Sequence, residues 1–230
     1  DCFIDCGAHI GLYSLIAHQA TEGKIELVSI EADSKTFSYL KENLKRTGLE
    51  SVTLVNAAVW NRPGKIGFVD AGSGKAAYSH VAFEDTTATH PEVRAVTLDE
   101  IVSAVSVPQI TLVKIDVEGA EPEVLSGGAQ VIAAQRCPLI MIEFTEANLA
   151  RRGITSIRLA RQLESLGYEL CEFSAEALEL LPFQVEGPVW YKNLFACIDR
   201  TAVNSRLPSA CSENKQIALD ILERARACSL

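Results

Sequence analysis

The sequence has no surplus of positive charge. Its 21 lysines and arginines face 30 aspartates and glutamates, a formal net charge of -9. No global field therefore attracts a phosphate backbone, and nucleic acid is disfavoured as a partner. The seven cysteines are odd in number and form no C-x-x-C pair. That argues against a disulfide framework and a zinc site, and points to a reducing, cytoplasmic setting. No apolar run is long enough to cross a bilayer, so no membrane partner is expected. Internal repeats, low-complexity blocks and any Asp/His cluster that would demand a metal are also missing.

What is present is a chain of 230 residues with 48% hydrophobic content, enough for one sizeable α/β domain. It starts at Asp1 inside a strand pattern, so a further upstream segment is expected. Residues 2–6 read as a strand, followed by a helix with Leu12, Leu15, Ile16 and Ala20 on its inner face. Ile25–Ile30 is a second strand ending in Glu31. Asp33 caps a helix that turns Phe37, Leu40 and Leu44 inward. Val52–Val55 is a third strand. This alternation is the signature of a parallel sheet.

Pro63-Gly64 marks a turn expected to join two antiparallel strands, Thr53–Trp60 and Lys65–Asp70. Residues 71–92 read as a long surface loop carrying His80 and His90. A short helix follows Val96-Thr97-Leu98-Asp99. Thr111–Ile115 is a fourth strand ending in Asp116, and Glu121-Pro122 opens a helix. Leu139–Ile142 is a fifth strand ending in Glu143. A helix near Thr155–Leu166 and strands Tyr168–Phe173 and Tyr191–Ile198 complete a domain spanning 1–200. Residues 201–230 form a helical tail whose apolar stripe (Ile217, Ile221, Ala225, Cys228) offers a surface for the domain or for a second copy in a homodimer.

The chemistry concentrates at strand ends. Asp5, Glu31, Asp116 and Glu143 terminate strands one, two, four and five, the edge where open parallel sheets bind ligands. In Phe3-Ile4-Asp5-Cys6-Gly7-Ala8-His9-Ile10-Gly11 a carboxylate precedes a small-residue turn. That pairing suits a cofactor with a cationic end, such as S-adenosylmethionine, better than a naked pyrophosphate. The G-x-G-x-x-G of NAD enzymes is absent, and Glu31 stands at the interval at which an acid meets a ribose. For Glu118 and Glu121, charge at the start of the following helix is an alternative to a site role, and it is favoured for Glu121. Arg151, Arg152, Arg158 and Arg161 follow the fifth strand and could meet an anionic acceptor, although most of them read as a solvated helix face. Trp60 either stacks near an adenine or packs under the Pro63-Gly64 turn.

Lys114-Ile115-Asp116-Val117-Glu118-Gly119-Ala120-Glu121, taken with the first turn, Glu31, Asn56-Ala57-Ala58-Val59 and Thr97-Leu98-Asp99, resembles the FkbM family of class I methyltransferases. The resemblance runs from the first strand to about Glu143, with a looser match through Ile198. It implies a Rossmann-like sheet of about seven strands, mostly parallel with the last antiparallel, and helices on both faces. It implies S-adenosyl-L-methionine as cofactor, and methylation of a hydroxyl on a sugar, polyketide or related small metabolite or glycan. Carried over by residue, Asp5, Gly7 and Ala8 would hold the methionine portion, with Cys6, His9 and Gly11 in the same turn. Glu31 and Ala32 would meet the ribose, and Asn56 with Ala57 the adenine. Asp116 would lie near the methionine ammonium and the transferring methyl group. Read from the reaction itself, Asp116 and Glu143 are candidates for base or acceptor positioning, with Glu118 behind them. The family usually has asparagine where this chain has His9. Methylation of protein or nucleic acid, a NAD-linked oxidoreductase and a non-catalytic adenosine-binding module are the competing readings. The absence of an N/D-P-P-Y/F element counts against exocyclic amines of nucleic acid.

Overall fold

The computed structural model describes residues 1–69, 79–82, 90–105, 109–134 and 136–207. The chain order is β1 (Cys2–Cys6), α1 (Leu12–Ala20), β2 (Glu26–Glu31), α2 (Ser34–Arg46), β3 (Thr53–Asn56), β4 (Ala58–Val59), β5 (Gly64–Val69), β6 (His80–Val81) and β7 (Glu92–Val96). Then come α3 (Leu98–Val105), β8 (Ile110–Ile115), α4 (Glu121–Gly127), α5 (Ala129–Ala133), β9 (Leu139–Phe144), α6 (Glu146–Ala150) and α7 (Ser156–Ser165). β10 (Glu169–Ser174), β11 (Glu179–Pro182), β12 (Lys192–Cys197) and α8 (Arg200–Asn204) close the described chain.

Local chemistry accounts for most of these elements. Every residue of β1 is buried, as expected of a parallel strand covered on both faces. Asp33 accepts the Thr36 N–H at 2.6 Å and starts α2, where Leu40 and Leu44 are buried one turn apart. Thr97 and Glu100 form a reciprocal capping box at α3, with the Thr97 N–H donating to Glu100 Oε2 at 2.9 Å and the Glu100 N–H to Thr97 Oγ1 at 3.1 Å.

Eight strands form one sheet in the order β11-β10-β12-β9-β8-β1-β2-β3. β1 pairs in parallel with both β2 and β8, so the strand order reverses between β1 and β8. A crevice opens at the carboxyl ends there. β12 runs antiparallel to β9 and β10, and β11 adds an antiparallel edge beyond the seven strands expected. The core is aliphatic and spans the sheet centre, with Ile4, Val113, Ile140, Ile142 and Phe144 fully buried.

Four expectations need correction. On α1 the fully buried residue is Ser14, and Leu15 packs partly buried on the core as expected, while Leu12 and Ile16 are 58% and 51% exposed and Ala20 is exposed too. The cause is hydrogen bonding: Ser14 Oγ reaches Asp5 Oδ2 at 3.2 Å and Ser29 Oγ at 2.7 Å, which sets the helix face. β4 and β5 do not pair with each other. β7 lies between them, parallel to β4 and antiparallel to β5, so a long-range pairing displaces the hairpin read from Pro63-Gly64. Within the expected 71–92 loop, His80–Val81 pairs with β5 and β7 begins at Glu92, giving a second sheet in the order β4-β7-β5-β6. Finally, α6, β11 and α8 were not anticipated. α8 lies in the expected tail but docks on the domain, Asn204 bonding both the N–H and the carbonyl of Leu180 at 2.8 and 3.1 Å. The stripe Ile217–Cys228, with the homodimer expected from it, lies outside the described residues, as do Cys211 and Cys228.

Phe144 ends β9 with 0% exposure in the main core. Phe144→Ala is expected to cost about 3–5 kcal/mol of stability, read as a lowered urea midpoint at unchanged slope.

Candidate functional site

β1 delivers the chain into a tight turn at the crevice. Gly7 and Ala8 both donate their N–H to the Ile30 carbonyl, at 3.0 and 2.9 Å, tying the turn to β2. Gly7 has φ +82, and a Cβ there would lie 1.8 Å from the Asp116 carbonyl oxygen, so only glycine fits. His9 follows at φ 49, a left-handed conformation that asparagine and histidine accept more readily than most residues. The same backbone need accounts for histidine standing where the family usually has asparagine.

The turn is coupled to Glu31 through its backbone. Glu31 accepts the His9 N–H at 2.9 Å on one oxygen and the Asp33 N–H at 2.9 Å on the other. Burial pushes its carboxyl above the usual range, and these two donors pull it back toward the charged form. The Ala32 N–H also favours the charged form, and Glu31 borders the cavity with acceptor capacity left on its oxygens. Asn56 acts from behind: its Nδ2 donates to the Glu31 and Ala32 carbonyls at 2.9 and 3.2 Å, and it accepts from Ser34 at 2.9 Å.

Beneath the turn lies a buried lysine. Lys114 Nζ is 3.2 Å from Asp5 Oδ1 and 3.3 Å from Asp116 Oδ2, and donates to the Gly7 carbonyl at 3.2 Å. It also sits 5.0 Å above the Tyr13 ring. Burial pulls the ammonium down, but Asp5 and Asp116 overcome that and hold it above its ordinary value. Sequence alone gives Lys114 no role, although a signal for it is there. Its signal was a lysine inside an apolar strand, two residues before Asp116 and hence on the same face.

Across the crevice, carboxylate oxygens of Asp116, Glu118 and Glu143 lie within 4.8 Å of one another. Burial, then the charges of Glu143 and Asp116, pushes Glu118 up to about 7, opposed by Asn148 and Arg151. Burial, then Asp116, brings Glu143 to about 7 as well. Asn148 Nδ2 donates to Glu118 Oε2 at 2.7 Å. Glu118 holds φ 56 and Gly119 φ 98, where a Cβ would meet the Asn148 carbonyl oxygen at 2.6 Å. Glu121 pins this bend from inside, accepting the Val117 and Gly119 N–H groups at 3.2 and 3.1 Å. It is wholly buried, and desolvation pushes it up to about 8.

These groups surround one cavity of about 710 Å³. Of the residues expected from the sequence, Gly7, Ala8, His9, Glu31, Ala32, Ala57, Asp116 and Glu143 border it. Asp5, Cys6, Gly11 and Asn56 do not. Asp5 has 0% exposure and is matched by Lys114, so the carboxylates facing the cavity are Glu31 on one wall and Asp116, Glu118 and Glu143 on the other. Gly11 packs on α2, where a Cβ would lie 2.8 Å from Leu40 Cδ1. Tyr13, Asn148 and Tyr191 border the cavity too and were not singled out as its walls, and Arg151, one of the arginines weighed as an acceptor contact, joins them. His80 reaches it from β6. Trp60 does not; it is buried in one cluster with Phe68 and Ala95, with the Arg152 guanidinium 4.6 Å over its ring. Among the described residues, a second group able to share a cation lies at the far sheet edge, Glu169 with Cys171 and Cys197.

The sheet order and the crevice at its reversal define a class I methyltransferase-like α/β fold. A crystal structure of methyltransferase FkbM from Methylobacillus flagellatus KT is similar at TM-score 0.52 and 17% identity, covering 86% of this chain and 43% of the other. The chain thus spans less than half the length of that protein. Precorrin-6y C5,15-methyltransferase from Geobacter metallireducens GS-15 matches at TM-score 0.45 and 15% identity, over 86% of this chain and 80% of the other. The N-terminal domain of human METTL16, in complex with SAH, matches at 0.45 and 14%, over 86% and 61%. No curated protein matches in sequence. The methyltransferase FkbM domain model matches residues 5–170, and the chain belongs to that family.

Two outcomes test the charge arrangement. Lys114→Met strands Asp5 in the core and is expected to cost about 3–5 kcal/mol, much of it recovered in the Asp5→Asn/Lys114→Met double variant; urea unfolding measures both. An acid held above its unfolded value keeps a proton that the unfolded chain gives up, so stability falls as pH rises between 4.5 and about 8 for Glu121. Glu121→Gln is expected to flatten that slope by up to about 1.4 kcal/mol per pH unit, read from unfolding midpoints across pH 5–9.

Proposed function

We propose that this protein is an S-adenosylmethionine-dependent methyltransferase acting on a hydroxyl oxygen of a small metabolite, sugar or polyketide-type acceptor. The observation that carries this reading is the shared cavity, which joins the Gly7–His9 turn and Glu31 on one wall to the Asp116, Glu118 and Glu143 carboxylates on the other. Family membership and the fold support it.

The residues present fit the donor. Gly7 and Ala8 bring backbone to the cavity with no side chain in the way, and Glu31 has unused lone pairs for ribose hydroxyls. Ala32, Ala57 and Val59 supply a small apolar wall for a purine. Asp116, steadied by Lys114, offers a carboxylate to an ammonium group. When bound, the donor supplies a methyl group already activated by a sulfonium. The chain's part is then to align the acceptor oxygen with that carbon and to take its proton.

The acceptor side is acidic at its base and aromatic at its rim, with Tyr13 and with Tyr191, which is 68% exposed. Three carboxylates against Arg151 disfavour a polyphosphate and favour a hydroxyl-bearing small molecule or glycan over nucleic acid. Among the described residues no helix is long and apolar enough to cross a membrane, and the five described cysteines are free and buried. The buried thiols are consistent with action in the cytoplasm.

Calorimetry with S-adenosylmethionine tests the reading. Binding is expected, and Glu31→Ala is expected to weaken it at least about tenfold through lost ribose hydrogen bonds. No binding to a folded wild-type chain would reject it. Transfer of a labelled methyl group into fractionated metabolite extracts then identifies the acceptor.

A further inference from the structure

The catalytic carboxylate singled out from sequence at the fourth strand, Asp116, is the one already matched by a cation. Lys114 stands 3.3 Å from it and 3.2 Å from Asp5. Glu118 and Glu143 have no such partner at ion-pair distance among the described residues. Arg151 borders the same cavity and acts on Glu118 only as a more distant charge. Four carboxylates (Asp5, Asp116, Glu118, Glu143) therefore meet one close ammonium. Two carboxylates crowded in a partly desolvated site relieve their repulsion either by sharing a proton or by taking in a cation.

Resting on the methyltransferase reading above, we propose that Glu118 and Glu143 form a catalytic proton-sharing pair, which releases its proton when the cationic donor binds and becomes the base for the acceptor hydroxyl. The groups packed around the pair come from several elements, and Thr145, Lys114 and Asn148 favour the charged form of Glu143 against burial and Asp116. Lys114 of β8 and Asp116 just beyond its end are already paired. α6 contributes Asn148, which fixes Glu118 Oε2 at 2.7 Å, and is followed by Arg151. Tyr13 of α1 and Tyr191 stay neutral, burial raising both hydroxyls. Glu121 is behind the bend, out of the cavity, and engaged by two backbone donors. Glu118 and Glu143 are each raised to about 7, which places the shared proton in the physiological range.

The bookkeeping of the cycle closes. The pair gives one proton to solvent as the sulfonium enters. In the transfer, the new bond joins acceptor oxygen to methyl carbon, the sulfur–methyl bond breaks with its electrons staying on sulfur, and the acceptor's proton moves to the pair. The product is a neutral thioether beside a protonated pair. The same residues thus distinguish donor from spent donor, because only the donor brings the charge that displaces the proton.

The test needs no acceptor. Calorimetric titrations of the full chain at pH 6.5, in two buffers of different ionisation enthalpy and with chelator present, give the proton count for each ligand. At that pH the ligands' own amino groups stay protonated. S-adenosylmethionine is expected to release about half to one proton more than S-adenosylhomocysteine. Its affinity relative to S-adenosylhomocysteine is expected to rise with pH up to about 7 and then level off. Glu118→Gln and Glu143→Gln, checked for folding by circular dichroism, are each expected to abolish the difference. Equal proton counts for the two ligands in the wild type, or a difference that survives both variants, would overturn the proposal. If neither variant folds, the wild-type comparison still decides it. Absence of binding by either ligand would instead defeat the methyltransferase reading itself.

Discussion

Lys114 stands at the centre of the molecule with 3% of its side chain exposed, between Asp5 and Asp116 and against the Gly7 carbonyl. A charge in that position is tolerable only when opposite charges and hydrogen bonds surround it, and the reverse holds for Asp5. The arrangement therefore demands that the ends of β1 and β8 stay in register, Asp5 opposite Lys114. It also leaves room for nothing but glycine at position 7, because the Asp116 carbonyl occupies the space of a Cβ. Turn, strand register and the place of Asp116 are thus one requirement rather than three.

From that requirement the charge of the cavity follows. Asp5 is consumed in the core, Asp116 is shared with the lysine and Glu31 is held by backbone N–H groups, so the crowded carboxylates without a cation or backbone donors are Glu118 and Glu143. Their positions rest on a second buried carboxyl, Glu121, which ties down the Val117 and Gly119 N–H groups, and on Asn148 across the bend. Polar groups hidden behind the wall organise those in front of it, which suits a site whose occupant carries charge. The apolar wall of Ala57 and Val59 and the aromatic rim around Tyr191 give the opposite chemistry close by.

Much of this was legible in the chain. Asp33 as a cap, Leu40 and Leu44 one turn apart, and acids at the ends of apolar runs are short-range signals, and the elements follow them closely. Where the reading went astray, a distant partner outweighed the local pattern. The apolar residues of α1 promised one face, but a buried aspartate needed Ser14 inside. Pro63-Gly64 promised a hairpin, but β7 returned from later in the chain to separate the two strands. Asp5 showed its charge in the sequence, but the lysine in another strand that pairs with it in the core did not show.

Sequence alone determined the class of sheet, the edge on which chemistry gathers and the family, since periodicity, end-capping and motif spacing are written in neighbouring residues. Only the tertiary structure decided which carboxylates meet, which is silenced and which remain free to hold a proton. Electrostatic coupling depends on distances of a few ångströms between residues that lie, as Gly7 and Lys114 do, 107 positions apart in the chain.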